Sequence, residues 1–89
     1  MALKNPIGLT IDLEWNLSYV RYRDRADDER LAPNKRIGET VVLNETTDAE
    51  LIGIELLALD AQTLVTARAV AHARGFTFPK DIVDVTNCA

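Results

Sequence analysis

The chain has 89 residues, Lys+Arg 10 against Asp+Glu 14, and a formal net charge of -4. The size scaling for such a chain leaves about 64% of its unfolded surface buried, enough for one modest core and no second domain. A net negative charge argues against nucleic acid, because duplex affinity rests on Lys and Arg neutralising phosphates. The arginine cluster Arg21, Arg23 and Arg25 is offset by Asp24, Asp27, Asp28 and Glu29.

Cys88 is the only cysteine, so no internal disulfide forms, and with His72 as the only histidine no zinc set is expected. A reducing, cytoplasmic setting fits this usage. The start lacks a signal-peptide apolar run, and no segment has the apolar length of a membrane span. Small chains without disulfides often gain stability from a partner subunit.

In chain order, Ile7, Leu9, Ile11, Leu13, Trp15 and Leu17 alternate with Gly8, Thr10, Asp12, Glu14 and Asn16, which is strand periodicity. The apolar phase then moves to Val20 and Tyr22, and a change of phase requires a turn or a bulge. A turn over 13–16 is expected, because Asn16 tolerates the left-handed conformation of a tight turn. It joins strands near 9–12 and 17–23. Residues 24–35, polar and ending in Pro33-Asn34-Lys35, read as an exposed loop.

The block 37–44, with Thr40, Val41, Val42 and Leu43, suits a third strand, and 51–57 a fourth after the turn 45–50. Short connections between strands imply antiparallel pairing. Asp60 is a helix N-cap, the alanine-rich stretch that follows is a helix, and Gly75 ends it, with Phe76 placed for the apolar contact of a glycine C-cap. Two stripes compete for the face of this helix that meets the sheet. One, Ala61, Leu64 and Val65, brings Arg68 and His72 with it; the other, Leu64, Ala67, Val70 and Ala71, leaves both at the edge. Residues 80–88 read equally as a strand or a helical turn.

These strands resemble a family of short bacterial and archaeal proteins known only as a domain of unknown function. The resemblance spans residues 9–57 and rests on Asp12, Leu13-Glu14-Trp15-Asn16, Tyr19-Val20-Arg21, Asp48-Ala49-Glu50 and Gly53-Ile54-Glu55-Leu56. The family has glycine after the turn aspartate, where this chain has Ala49. The resemblance implies a small β-meander without assigned activity, with an association of some members with toxin–antitoxin pairs.

The expected fold is therefore α+β in a single domain, residues 1–89. An antiparallel β-meander of about four strands over 7–57 is followed by one C-terminal helix over 60–75, packed on one sheet face, and a tail over 76–89. Strand parity puts Ile52, Ile54 and Leu56 toward the core with Val20 and Tyr22, and Gly53, Glu55, Tyr19 and Arg21 on the other face. There Arg21 and Glu55 pair over the flat surface of Gly53, or form part of a partner-binding face. Trp15 is either a core cap or an exposed interface anchor, and Arg68 and His72 are either flanking groups or an i,i+4 pair facing a partner.

No nucleophile has an evident base: Cys88 lies in the tail, and Ser18 and Tyr19 have none nearby in sequence. The expected function is non-catalytic association, as a homodimer or as one member of a two-component module, with Trp15, Tyr19, Arg21, Glu55, Arg68 and His72 as interface candidates. No cofactor or metal is expected. The alternative is a small enzyme or a small-ligand-binding protein with its site at a dimer interface.

Overall fold

A computed structural model describes residues 3–79. Its elements are β1 (Gly8–Asp12), β2 (Leu17–Arg21), β3 (Lys35–Ile37), β4 (Val41–Glu45), β5 (Leu51–Leu56) and α1 (Ala61–Ala73). The strands form one sheet in the order β1-β2-β5-β4-β3, with every neighbouring pair antiparallel. The α+β architecture is as expected from the sequence. The sheet has one strand more than the expected four, and its order is not that of a simple meander.

The additional strand, β3, takes Lys35 from the end of the expected loop 24–35, then Arg36, and only Ile37 from the block 37–44. Gly38, at φ 67, turns the chain between Ile37 and Val41, which pair directly, so residues 35–45 form a tight hairpin of β3 and β4. β3 is short and carries Lys35 and Arg36, which suits an edge and not the place beside β2. β5, with Ile54 and Leu56 fully buried, takes that central place. The chain therefore leaves β2 along 22–34 and crosses the ends of β5 and β4 to reach the far edge. Part of this segment is fastened down. Leu31 bridges Thr46, and the Ala32 amide donates to the Glu45 carbonyl at 2.9 Å.

One face of the sheet carries the core: Val20, Tyr22, Val41, Leu43, Leu51, Ile54 and Leu56 pack with Leu64, Ala67 and Ala71 of α1. Leu51, not Ile52, takes the third core place on β5. A bulge sets Glu45 opposite Leu51 while Asn44 is opposite Gly53, so the strand changes phase at Ile52, which is buried outside this cluster. The stripe Leu64, Ala67, Ala71 is the one that meets the sheet, and the fully buried alanines let the helix approach closely. Val65 is exposed.

Both helix ends are closed as the sequence predicts. Asp60 Oδ1 accepts from the Thr63 amide at 2.8 Å. Gly75, at φ 86, donates to the His72 carbonyl, and the Phe76 amide reaches the Ala71 carbonyl at 2.9 Å. Those two bonds are the paired closure of a glycine-terminated helix. Phe76 then packs on Tyr22, ring centroids 4.5 Å apart. Beyond it, the Thr77 amide donates to the Lys4 carbonyl at 2.8 Å and the Lys4 amide to the Gly75 carbonyl at 3.0 Å, which ties the N-terminal segment to the end of the helix. Residues 80–89, with Cys88 and the expected strand or turn, lie outside the described residues.

Candidate functional site

The helix covers one face of the sheet, and the other face is built by the register. Tyr19 stands opposite Glu55 and Thr10, Arg21 opposite Gly53 and Gly8, and Val42 opposite Glu55. Tyr19, Arg21 and Glu55 thus share the open face, on the side that alternation predicts.

Their contacts differ from the expected Arg21–Glu55 pair. The Tyr19 ring lies across Gly53, so close that a Cβ there would overlap its hydroxyl and Cζ. This ring fills the space through which Arg21 and Glu55 would meet. Arg21 instead turns the other way, toward β1. Its Nε and Nη2 come within 3.3 and 3.4 Å of where a Gly8 side chain would begin, and its Nη1 pairs with Asp24 at 2.9 Å. Burial of the Tyr19 hydroxyl, and secondarily the Glu55 carboxylate, hold its pKa above the ordinary tyrosine value, with Arg21 opposing. Gly8, Leu9, Thr10, Tyr19 and Arg21 line an open cleft of about 480 Å³.

The β1–β2 turn extends this surface. Asp12 Oδ1 accepts from the Glu14 amide at 3.1 Å and the Trp15 amide at 3.3 Å, and Asn16 closes the turn at φ 54. The turn holds its apolar side chains outward: Leu13 is 64% exposed and Trp15 69%. Of the two places open to Trp15, the structure gives the exposed one. Leu17, at the start of β2, is also exposed.

Arg68 and His72 do not join this group. Both are exposed on the helix, across the sheet from Tyr19, Arg21 and Glu55, so the six interface candidates divide between two sides of the molecule. Ser18 points into the core opposite Leu56, its hydroxyl buried without a hydrogen-bond partner among the described residues, where no substrate reaches it. Tyr22 is likewise interior. Its hydroxyl donates to the Thr77 carbonyl at 2.9 Å, and burial pushes its pKa well above the ordinary value.

An ion-pair cluster was not legible in the sequence. Arg23 binds Glu29 through both terminal nitrogens and Glu50 at 2.8 Å, and Arg74 pairs with Glu45. With Lys4 and Phe76, Arg23, Glu50 and Arg74 line a second cavity of about 330 Å³. The Arg23 hydrogen bond is the main cause holding the Glu29 carboxyl below its usual range. Partners 27 and 29 residues apart leave no local signal; only the i,i+6 spacing of Arg23 and Glu29 was visible.

Among the described residues no group of three His, Cys, Asp or Glu side chains is arranged to hold a metal, and no helix is long and apolar enough to cross a membrane. Comparison with protein families, curated proteins and solved structures returns no match.

Proposed function

We propose that this chain acts by protein–protein association, as a homodimer or as the small member of a two-component module, and not by catalysis. The observation that carries this reading is the β1–β2 hairpin. It presents Leu13, Trp15 and Leu17 to solvent beside Tyr19 and Arg21, on a sheet whose other face alone is covered by the helix. Trp, Tyr and Arg are the residues that most often anchor interfaces, because each buries a large area with few rotatable bonds or many donors. Three exposed apolar side chains within five residues are more than a free hairpin needs. The family resemblance, with its toxin–antitoxin association, and the cytoplasmic setting suggested by a single cysteine agree with this proposal.

A second reading, a small ligand held against Tyr19 and Arg21 at a dimer interface, is favoured by the cleft those residues line. The test of the first is Trp15→Ala, with native mass and capture of a stoichiometric partner measured beside the wild type. The variant should keep its thermal midpoint, since Trp15 contributes little to the core, and lose association. A wild-type chain that stays monomeric at every concentration and retains no partner refutes the proposal.

A further inference from the structure

The two edges of the sheet are not alike. β3 is three residues long and carries Lys35 and Arg36, features that discourage a further strand. β1 is five residues, Gly-Leu-Thr-Ile-Asp, without lysine, proline or bulge, and no described residue pairs with its outer edge. The backbone directions follow from the register. The Tyr22 amide donates to the Ile52 carbonyl at 2.7 Å, so the even-numbered residues of β2 turn their peptide groups to β5 and the odd-numbered ones to β1. Tyr19, Arg21 and Leu17 are thereby bonded to Thr10, Gly8 and Asp12. The N–H and C=O groups of Leu9 and Ile11 are left pointing out of the sheet.

Resting on the association reading above, we infer that the partner of this edge is a second copy of the chain, whose β1 pairs antiparallel with β1 about a two-fold axis at Thr10, giving a continuous ten-stranded sheet. A two-fold axis normal to the sheet keeps each residue on its own face, so only even register sums are allowed. The sum of 20 sets Leu9 opposite Ile11 of the second copy and Ile11 opposite its Leu9. These are the residues with free peptide groups, and they form four hydrogen bonds. On the helix side the cross-copy pair within the strands, Leu9 with Ile11, is apolar, both side chains packing against the core; just beyond the strands Ile7 and Leu13, 53% and 64% exposed in the single chain, come opposite one another.

On the open face, Gly8 lies opposite Asp12 of the second copy. Gly8 is where Arg21 extends its guanidinium toward the edge. Asp12 uses Oδ1 in its own turn, and among the described residues Oδ2 has no partner. Each Arg21 therefore meets an Asp12 of the other copy, twice per dimer. Shifting the register by two residues toward the N-terminus calls on Ile7, whose amide already donates to Arg21 at 2.8 Å. Shifting it the other way draws in Leu13, which belongs to the turn. Only the register centred on Thr10 uses strand residues alone and matches the charges.

The test is a charge-swap experiment read by sedimentation and native mass spectrometry. Arg21→Glu and Asp12→Lys should each raise the dimer Kd by about tenfold or more, since two attractive pairs become repulsive. An equimolar mixture should form the heterodimer at near wild-type affinity, because each mutant side chain then faces an opposite charge. Asp12→Asn, which keeps the turn acceptor, covers the case where Asp12→Lys does not fold; it should weaken the dimer without melting the hairpin. Amide exchange at Leu9 and Ile11 in the wild type should slow as concentration rises.

A wild-type dimer in which those two amides stay fast, or in which the mixture fails to reassociate, overturns edge pairing while leaving association intact. A monomer with both amides protected shows the edge covered within a single chain and also overturns it, as does protection conferred only by a different protein. A monomer with both amides fast and no retained partner removes the association reading as well.

Discussion

Replacing Gly53 by alanine is expected to lower stability, although alanine is normally the better residue in a strand. The added Cβ would stand 2.8 Å from the Val20 carbonyl oxygen and overlap the Tyr19 ring. The ring can swing away at the loss of its packing, but the carbonyl belongs to the neighbouring central strand and yields only if β2 and β5 separate slightly. Overpacking of this kind costs about 1–3 kcal/mol. The reduced entropy of the unfolded chain returns about 0.4–1 kcal/mol. The net loss is about 1–2 kcal/mol, a fall of about 5–15 °C in midpoint for a domain of this size.

The assay is urea denaturation of the wild type, Gly53→Ala, Tyr19→Ala and the double variant, with unchanged m-values required for comparison. Removing the ring first should recover about 1 kcal/mol of the alanine's cost, and the part due to the Val20 carbonyl should remain. A Gly53→Ala protein as stable as the wild type, or additive behaviour in the cycle, refutes the close approach of Tyr19 and Gly53.

Two further outcomes follow from the geometry. Ala49 sits at φ 65, a conformation unfavourable for any side chain by about 1–2 kcal/mol, so Ala49→Gly should raise stability by about 0.5–1 kcal/mol after its unfolded-state cost; a lower denaturation midpoint contradicts this. Asp60 is held below its ordinary pKa, first by the Thr63 amide and then by the Thr63 hydroxyl, and Glu29 is lowered chiefly by its hydrogen bond to Arg23. A carboxylate lowered by folding contributes its full stability above its unfolded pKa of about 4 and loses it as pH falls through the lower folded value. Stability should therefore hold near neutrality and decline below about pH 4, and Asp60→Asn, which still caps the helix, should make that decline shallower. Superimposable acid limbs for the two proteins would contradict the capping account.

The sequence by itself determined the features that depend on neighbours along the chain. Alternation from Ile7 to Leu17 and the tolerance of Asn16 for a left-handed φ defined the first hairpin, and Asp60 and Gly75 defined the helix, because a cap acts within one turn. Parity alone put Tyr19, Arg21 and Glu55 on one face.

Tertiary structure decided everything that required knowing which strand lies beside which. That β2 pairs with β5 follows from the buried centre needing Ile54 and Leu56 and from the charged β3 being confined to an edge, a competition among distant segments that local periodicity does not encode. The same register settled Arg21. In the sequence it is equally near Glu55 in pattern and Asp24 in position, and only the Tyr19 ring over Gly53 and the bare backbone of Gly8 turn its guanidinium toward the outer strand. The choice between helix stripes was likewise made by packing, where Ala67 and Ala71 allow a closer approach than Val65 beside Arg68 and His72.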